Sequence, residues 1–108
     1  MYFPVPSPLT EFLILAIVDQ QDSYGYEISQ TIKLLANIKE STLYPILKKL
    51  EKNGFLRTYS EEHQGRKRKY YSLTDSGKEQ LHFLKKEWLE YTKTISKILE
   101  GSLKNEKR

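Results

Sequence analysis

Three short helical patterns come first in the chain, then two β-rich runs around a basic loop, then one long amphipathic helix. That order predicts a mainly α fold of three helices, a β-hairpin and a closing helix about 39 Å long at 1.5 Å per residue. Three helices with a hairpin after the third outline a winged helix-turn-helix. The 108 residues suffice for one modest core. Residues 1–74 are read as the winged-helix unit with an N-terminal arm, 75–100 as a C-terminal dimerisation helix, and 101–108 as a disordered polar tail.

Each element has a local cause. Pro4, Pro6 and Pro8 mark an extended arm, and Ser7 before Pro8 reads as a helix cap followed by a proline whose missing N–H is not needed. Residues 9–18 are apolar nearly all round, so the first helix should be buried on more than one side. Asp22 or Ser23 caps a second helix over 24–36, with Ile28, Ile32 and Leu35 on one face and Glu27 at its positive end. A third helix spans 41–53. Its stripe is Leu43, Ile46, Leu47 and Leu50, and Ser41, Pro45, Lys48, Lys49 and Lys52 fall opposite. Pro45 constrains where it starts, because proline fits a first turn and not a helix interior. Asn53-Gly54 stops it. Residues 55–60 and 68–73 read as strands, and 61–67 as a polar loop too long for a two-residue turn. Thr74 caps the last helix and Gly101 ends it.

Several function classes are excluded. With no cysteine there is no disulfide framework, zinc ribbon, iron–sulfur site or thiol nucleophile, and a reducing cytoplasm is the default compartment. His63 and His82 stand apart, and Glu61 and Glu62 are neighbours in a polar loop rather than acids opposed across a cleft. No G-x-S-x-G, phosphate-binding loop or H-E-x-x-H occurs. The expectation is therefore no enzyme, no catalytic residue, no metal and no cofactor. The longest apolar run, 12–18, falls far short of the roughly 20 residues a membrane helix needs. No cation precedes Lys33, as a secretory signal would require.

Charge is unevenly spread. Residues 1–22 carry Glu11, Asp19 and Asp22 with no cation, whereas 45–70 carry eight cations against three acids. The basic excess therefore sits on the third helix and the hairpin loop, where a groove-entering helix and a backbone-touching wing should be cationic. Ser41, Thr42 and Tyr44 are donors suited to phosphates or base edges. Pro45 offers an apolar surface to a thymine methyl, and Lys48 and Lys49 can reach either kind of partner. Arg66, Lys67, Arg68 and Lys69 should track phosphates or the minor groove, although strand alternation prevents all four from facing one way.

The last helix carries a second signal. Leu81, Leu84, Trp88, Tyr91, Ile95 and Ile98 follow a 3-4-3-4-3 spacing, a heptad seam. Its second half extends past anything a small hairpin domain could cover, so a partner helix and a two-fold homodimer are expected.

The stretch from Ser41 through Leu43-Tyr44-Pro45 to Phe55 resembles the third helix of the PadR family of transcriptional regulators. Tyr24-Gly25-Tyr26-Glu27-Ile28 resembles that family's second helix, and the run from Gly65 to Gly77 its wing, second strand and final helix start. The single closing helix is similar to that of the compact subgroup. The resemblance implies a dimeric, ligand- or stress-responsive repressor, and the two-fold dimer expected from the seam implies a pseudo-palindromic operator. The resemblance gives Tyr24 either a phosphate contact or a packing role. It also implies that Trp88 lines a dimer-interface cavity that stacks flat aromatic compounds, with Phe12 facing the same space. Thr92 stands where drug-binding members carry a carboxylate, which leaves a neutral or phenolic planar effector, or plain packing of Trp88. Two rival readings use the same basic face: a winged-helix module for an acidic protein, and a non-specific nucleoid-type DNA binder.

Overall fold

The computed structural model describes residues 2–102. The elements are α1 (Ser7–Gln20), β1 (Ser23–Tyr24), α2 (Gly25–Ile32), α3 (Glu40–Lys52), β2 (Leu56–His63), β3 (Arg66–Leu73) and α4 (Asp75–Glu100). The strands form an antiparallel sheet in the order β1-β3-β2, so β2 and β3 make the wing and the mainly α winged-helix expectation holds.

One apolar cluster joins the elements. Ile14, Leu15 and Val18 of α1 meet Ile28 and Ile32 of α2, the α3 stripe Leu43, Ile46, Leu47 and Leu50, and Leu56, Tyr71 and Leu73 of the sheet. Each such side chain contributes roughly 1.5–3 kcal/mol on burial. Helix α1 packs on α2, α3, α4 and β3, and no residue from Leu9 to Val18 is fully exposed. Its near-uniform apolarity follows from that central place.

The helix starts differ from expectation. Ser7 lies inside α1, Pro6 occupies the cap position, and no side chain caps the helix. Neither Asp22 nor Ser23 caps α2; Tyr24 does so, without a side-chain bond. Ser23 and Tyr24 are instead a two-residue strand paired with Tyr71 and Tyr70. The Ser23 hydroxyl donates to Glu27 Oε1. Two residues are too few to show a strand period, which hid β1 in the sequence. Helix α2 ends at Ile32 rather than near residue 36: Leu34 N–H donates to Thr31 O and Leu35 N–H to Ile32 O, so the chain tightens into i→i+3 turns. Helix α3 begins at Glu40, so Pro45 sits inside it and not in its first turn. The missing N–H leaves the Ser41 carbonyl without its helical donor on an exposed face, where water can serve it.

The wing is the largest correction. No seven-residue loop exists; β2 and β3 run on to His63 and Arg66, joined by Gln64 and Gly65 alone. Both have positive φ, 51° and 80°, as a type I′ hairpin turn requires. Past residue 60 the ribbon buries no side chain, Arg68 alone being half-buried, so no apolar alternation announces it. The register there sets unlike charges opposite each other, Glu61 across from Arg68 and Glu62 across from Lys67.

Two expected caps are present. Gly77 N–H donates to Thr74 Oγ1 at 2.9 Å, and Gly101 closes α4 at φ 79°. Of the expected tail, residues 103–108 lie outside the described residues. Leu81 is buried in the body and Leu84 packs against it; beyond them, among the described residues, only Trp88, beside Phe12, keeps a ring contact with α1 as α4 runs outward, and the extents are 66 × 30 × 20 Å.

Candidate nucleic-acid interface

The α3 stripe turns inward, so the other side of the helix presents Ser41, Thr42, Tyr44, Pro45, Lys48 and Lys49, all exposed. Tyr44 is held from behind. A Cβ on Gly25 would lie 2.7 Å from Tyr44 Cε1, so only glycine at the start of α2 lets the ring lie there. Lys49 turns back towards α1, its Nζ 2.9 Å from Glu11 Oε2. Lys48 makes no ion pair among the described residues.

Strand register divides the wing cations. Arg66 and Arg68 share the face of Tyr70, while Lys67 and Lys69 share that of Tyr71 and Leu73, the core side. Arg68 is stacked: its guanidinium carbon is 4.4 Å from the centroid of the Tyr24 ring. Tyr24 meets Tyr70 edge-on at 5.4 Å, and Tyr70 stacks on Tyr59 at 5.6 Å. The Tyr59 hydroxyl donates to Asp22 Oδ2 at 2.8 Å, and that bond pushes its pKa up to about 12. A row of three tyrosines thus ties β1, β3 and β2 together beneath Arg68. On the other face Lys69 lies 3.6 Å from Glu51 Oε1 and over the Tyr71 ring. Burial, with the Glu51 carboxylate nearby, raises the Tyr71 phenol above its ordinary range.

A second feature lies away from this basic face. An open apolar groove of about 950 Å³ runs between the N-terminal arm and α1 on one side and α4 on the other. Phe12, Trp88, Tyr91 and Ile95 line it, with Pro4 and Pro6 of the arm and Pro8 of α1. The Phe12 and Trp88 rings are 6.1 Å apart, so the two residues do share one space. Thr92 Oγ1 donates to the carbonyls of Trp88 and Leu89, so its hydrogen is spent within the helix. The expected seam divides at the body's edge: Leu81 is buried, Leu84 half-buried, and Trp88, Tyr91, Ile95 and Ile98 are 41%, 61%, 39% and 60% exposed.

Tyr59, Tyr70, Asp22 and Glu11 take part in the site without having been singled out for it from the sequence. The alternation Arg57-Tyr59-Glu61 against Arg68-Tyr70 carried a signal for the tyrosine row. Nothing signalled the Glu11–Lys49 pair, whose members are 38 residues apart. Among the described residues no group of three His, Cys, Asp or Glu could hold a metal ion, and no helix is long and apolar enough to cross a membrane.

A basic α3 beside a hairpin wing, joined to a long helix with an uncovered seam, defines a winged-helix regulator. The family model described as the transcriptional regulator PadR-like family matches residues 14–83. The chain belongs to this family, which is one of transcriptional regulators and not of enzymes. It is 38% identical over 85 residues to the negative transcriptional regulator PadR of Bacillus subtilis, of whose length it spans 44%. A crystal structure of smu.1704 from Streptococcus mutans UA159 superposes with a TM-score of 0.91 at 68% identity, covering 94% of this chain and 95% of that one. Bacillus subtilis PadR in complex with operator DNA superposes with a TM-score of 0.64 at 32% identity, covering 78% of this chain and 48% of that one.

Proposed function

We propose that this protein is a cytoplasmic homodimeric repressor that binds a pseudo-palindromic DNA operator. In this reading residues 1–74 form the DNA-binding unit, and 75–100 the dimerisation helix. The observation that carries it is the pairing of an exposed basic α3 and wing with a seam left bare from Trp88 to Ile98. Ser41, Thr42, Tyr44, Pro45 and Lys48 read the major groove, with Lys49 at the helix edge. Arg66 and Arg68 follow the backbone or the minor groove on one side of the wing, Lys67 and Lys69 on the other. Tyr24 positions Arg68, and its half-buried ring supports packing over a direct phosphate contact. The likeness to a PadR–operator complex supports DNA as the partner.

A planar aromatic effector fits the groove beside Trp88 and Phe12. The lining is mainly apolar, with Glu87 its one charged residue, and its flat aromatic walls suit a planar compound that is neutral or phenolic. Binding there would release DNA only through unequal affinity for two arrangements of the dimer.

The test is fluorescence anisotropy on labelled duplex from upstream of the protein's own gene, against scrambled duplex, at two salt concentrations. A preference of about 10³-fold or more, with a log–log salt slope of several, is expected. Equal affinity for both duplexes would support the nucleoid-type reading. No binding at low salt would point to an acidic protein partner.

A further inference from the structure

We propose that Glu11 is a positioning residue for DNA recognition: it holds Lys49 as an internal stand-in for a DNA phosphate and must surrender it when the operator binds. The inference rests on the DNA-binding reading above and concerns how one of its cations is controlled.

Lys49 is on α3, one residue from Lys48, in the strip that faces away from the core. Its ammonium lies 2.9 Å from Glu11 Oε2 on α1, the geometry a phosphate oxygen would take. The two side chains are unequally placed. The Glu11 side chain is 21% exposed and Lys49 is 60% exposed, so the carboxylate is fixed against the body while the lysine stays at the rim. A lysine stem is long and flexible, and its charge can swing to a new acceptor without moving the helix. The pair is too exposed to matter much for stability, since such pairs contribute little. Its consequence is competitive: in the free protein it masks one cation of the reading helix. The other masked cation, Lys69, is held less closely, at 3.6 Å from a Glu51 that also accepts from Thr58. Neighbouring Lys48 has no such partner among the described residues.

The experiment compares wild type, Glu11→Gln, Lys49→Gln, the double variant and Asp19→Asn on the upstream duplex by anisotropy at two salt concentrations. Asp19→Asn removes an equal charge from α1 at a residue that pairs with no described cation. Glu11→Gln should tighten binding about two- to fivefold, the range expected of an exposed pair. Asp19→Asn should do clearly less. Lys49→Gln should loosen binding and flatten the salt slope by about 0.9, one phosphate contact. In the Lys49→Gln background, Glu11→Gln should change affinity by less than about 1.5-fold.

Equal effects of Glu11→Gln with and without Lys49 would overturn the proposal. So would equal effects of Glu11→Gln and Asp19→Asn, or a salt slope unmoved by Lys49→Gln. Absence of DNA binding by every protein, wild type included, would instead overturn the DNA reading and this inference with it. Far-UV circular dichroism of each variant checks that the fold is kept.

Discussion

Gly77→Ala sets helix propensity against packing, and the two predict opposite signs. Gly77 is in the first turn of α4, where propensity alone favours alanine by up to about 1 kcal/mol. A Cβ there would lie 2.2 Å from the Phe55 carbonyl oxygen and 2.7 Å from Leu73 Cδ1. Carbon and a carbonyl oxygen rest about 3.3 Å apart at closest. The start of α4 would therefore retreat by about 1 Å from the turn before β2. That turn is bound to α4's approach by Thr74 N–H to Phe55 O at 3.1 Å and by Thr74 Oγ1 to Gly54 O at 2.6 Å. Weakening both bonds costs about 1 kcal/mol each, and residual overpacking about 1–3 kcal/mol. Packing wins by about 2–4 kcal/mol, a fall in melting temperature of about 10–25 °C for a domain of this size. Thermal unfolding followed by circular dichroism measures it, with Ser76→Ala as the exposed control, expected within about 0.5 kcal/mol of wild type. A Gly77→Ala protein that melts at or above wild type would refute the packing argument.

Other outcomes follow from the seam, the tyrosine row and the turn. Ile95→Glu with Ile98→Glu should convert a dimer to a monomer by light scattering while helicity persists; an unchanged dimer mass would place the interface elsewhere. Ultraviolet titration should find one phenol at about 12, Tyr59, and Asp22→Asn should return it towards 10.0. Because the folded-state value is raised, this stabilisation is complete below pH 10 and is lost as pH rises towards 12. The stability gap between wild type and Asp22→Asn should therefore narrow across that window, and a gap constant with pH would contradict the assignment. Gln64→Asn should stabilise the wing by about 0.5 kcal/mol, because asparagine tolerates positive φ at the first central position of a type I′ turn. A lower melting temperature would argue against that turn.

Much of this architecture could be read from the residues, and the failures have definite causes. The α3 stripe and the cap of Thr74 on Gly77 were legible because helix periodicity and capping are local. The seam from Leu81 to Ile98 was legible both as a seam and as bare in its outer half, since a 26-residue helix outruns a small body. Strand β1 was not legible: its two residues are strand only because β3 lies beside them. The outer wing was misread because Glu61, Glu62, Arg66 and Lys67 look like loop when no face is buried. At the candidate site, residue types on α3 and the wing disclosed the cations. Only three-dimensional packing disclosed which were engaged, Lys49 by Glu11 and Arg68 by Tyr24.

In the dimer proposed above, the outer stretch of α4 would also act as a gear. From Leu81, its deepest anchor, to Ile98 is about 25 Å at 1.5 Å per residue. In a two-fold dimer joined along that stretch, each body rides at the end of such an arm. A change of about 10° in the angle between the paired helices displaces a body by about 4 Å. That exceeds the 3.4 Å between successive bases along a strand. A flat molecule wedged beside Trp88 therefore need not unfold or separate anything. Opening the helix pair by about 8° would put one reading head a base pair out of step with the other.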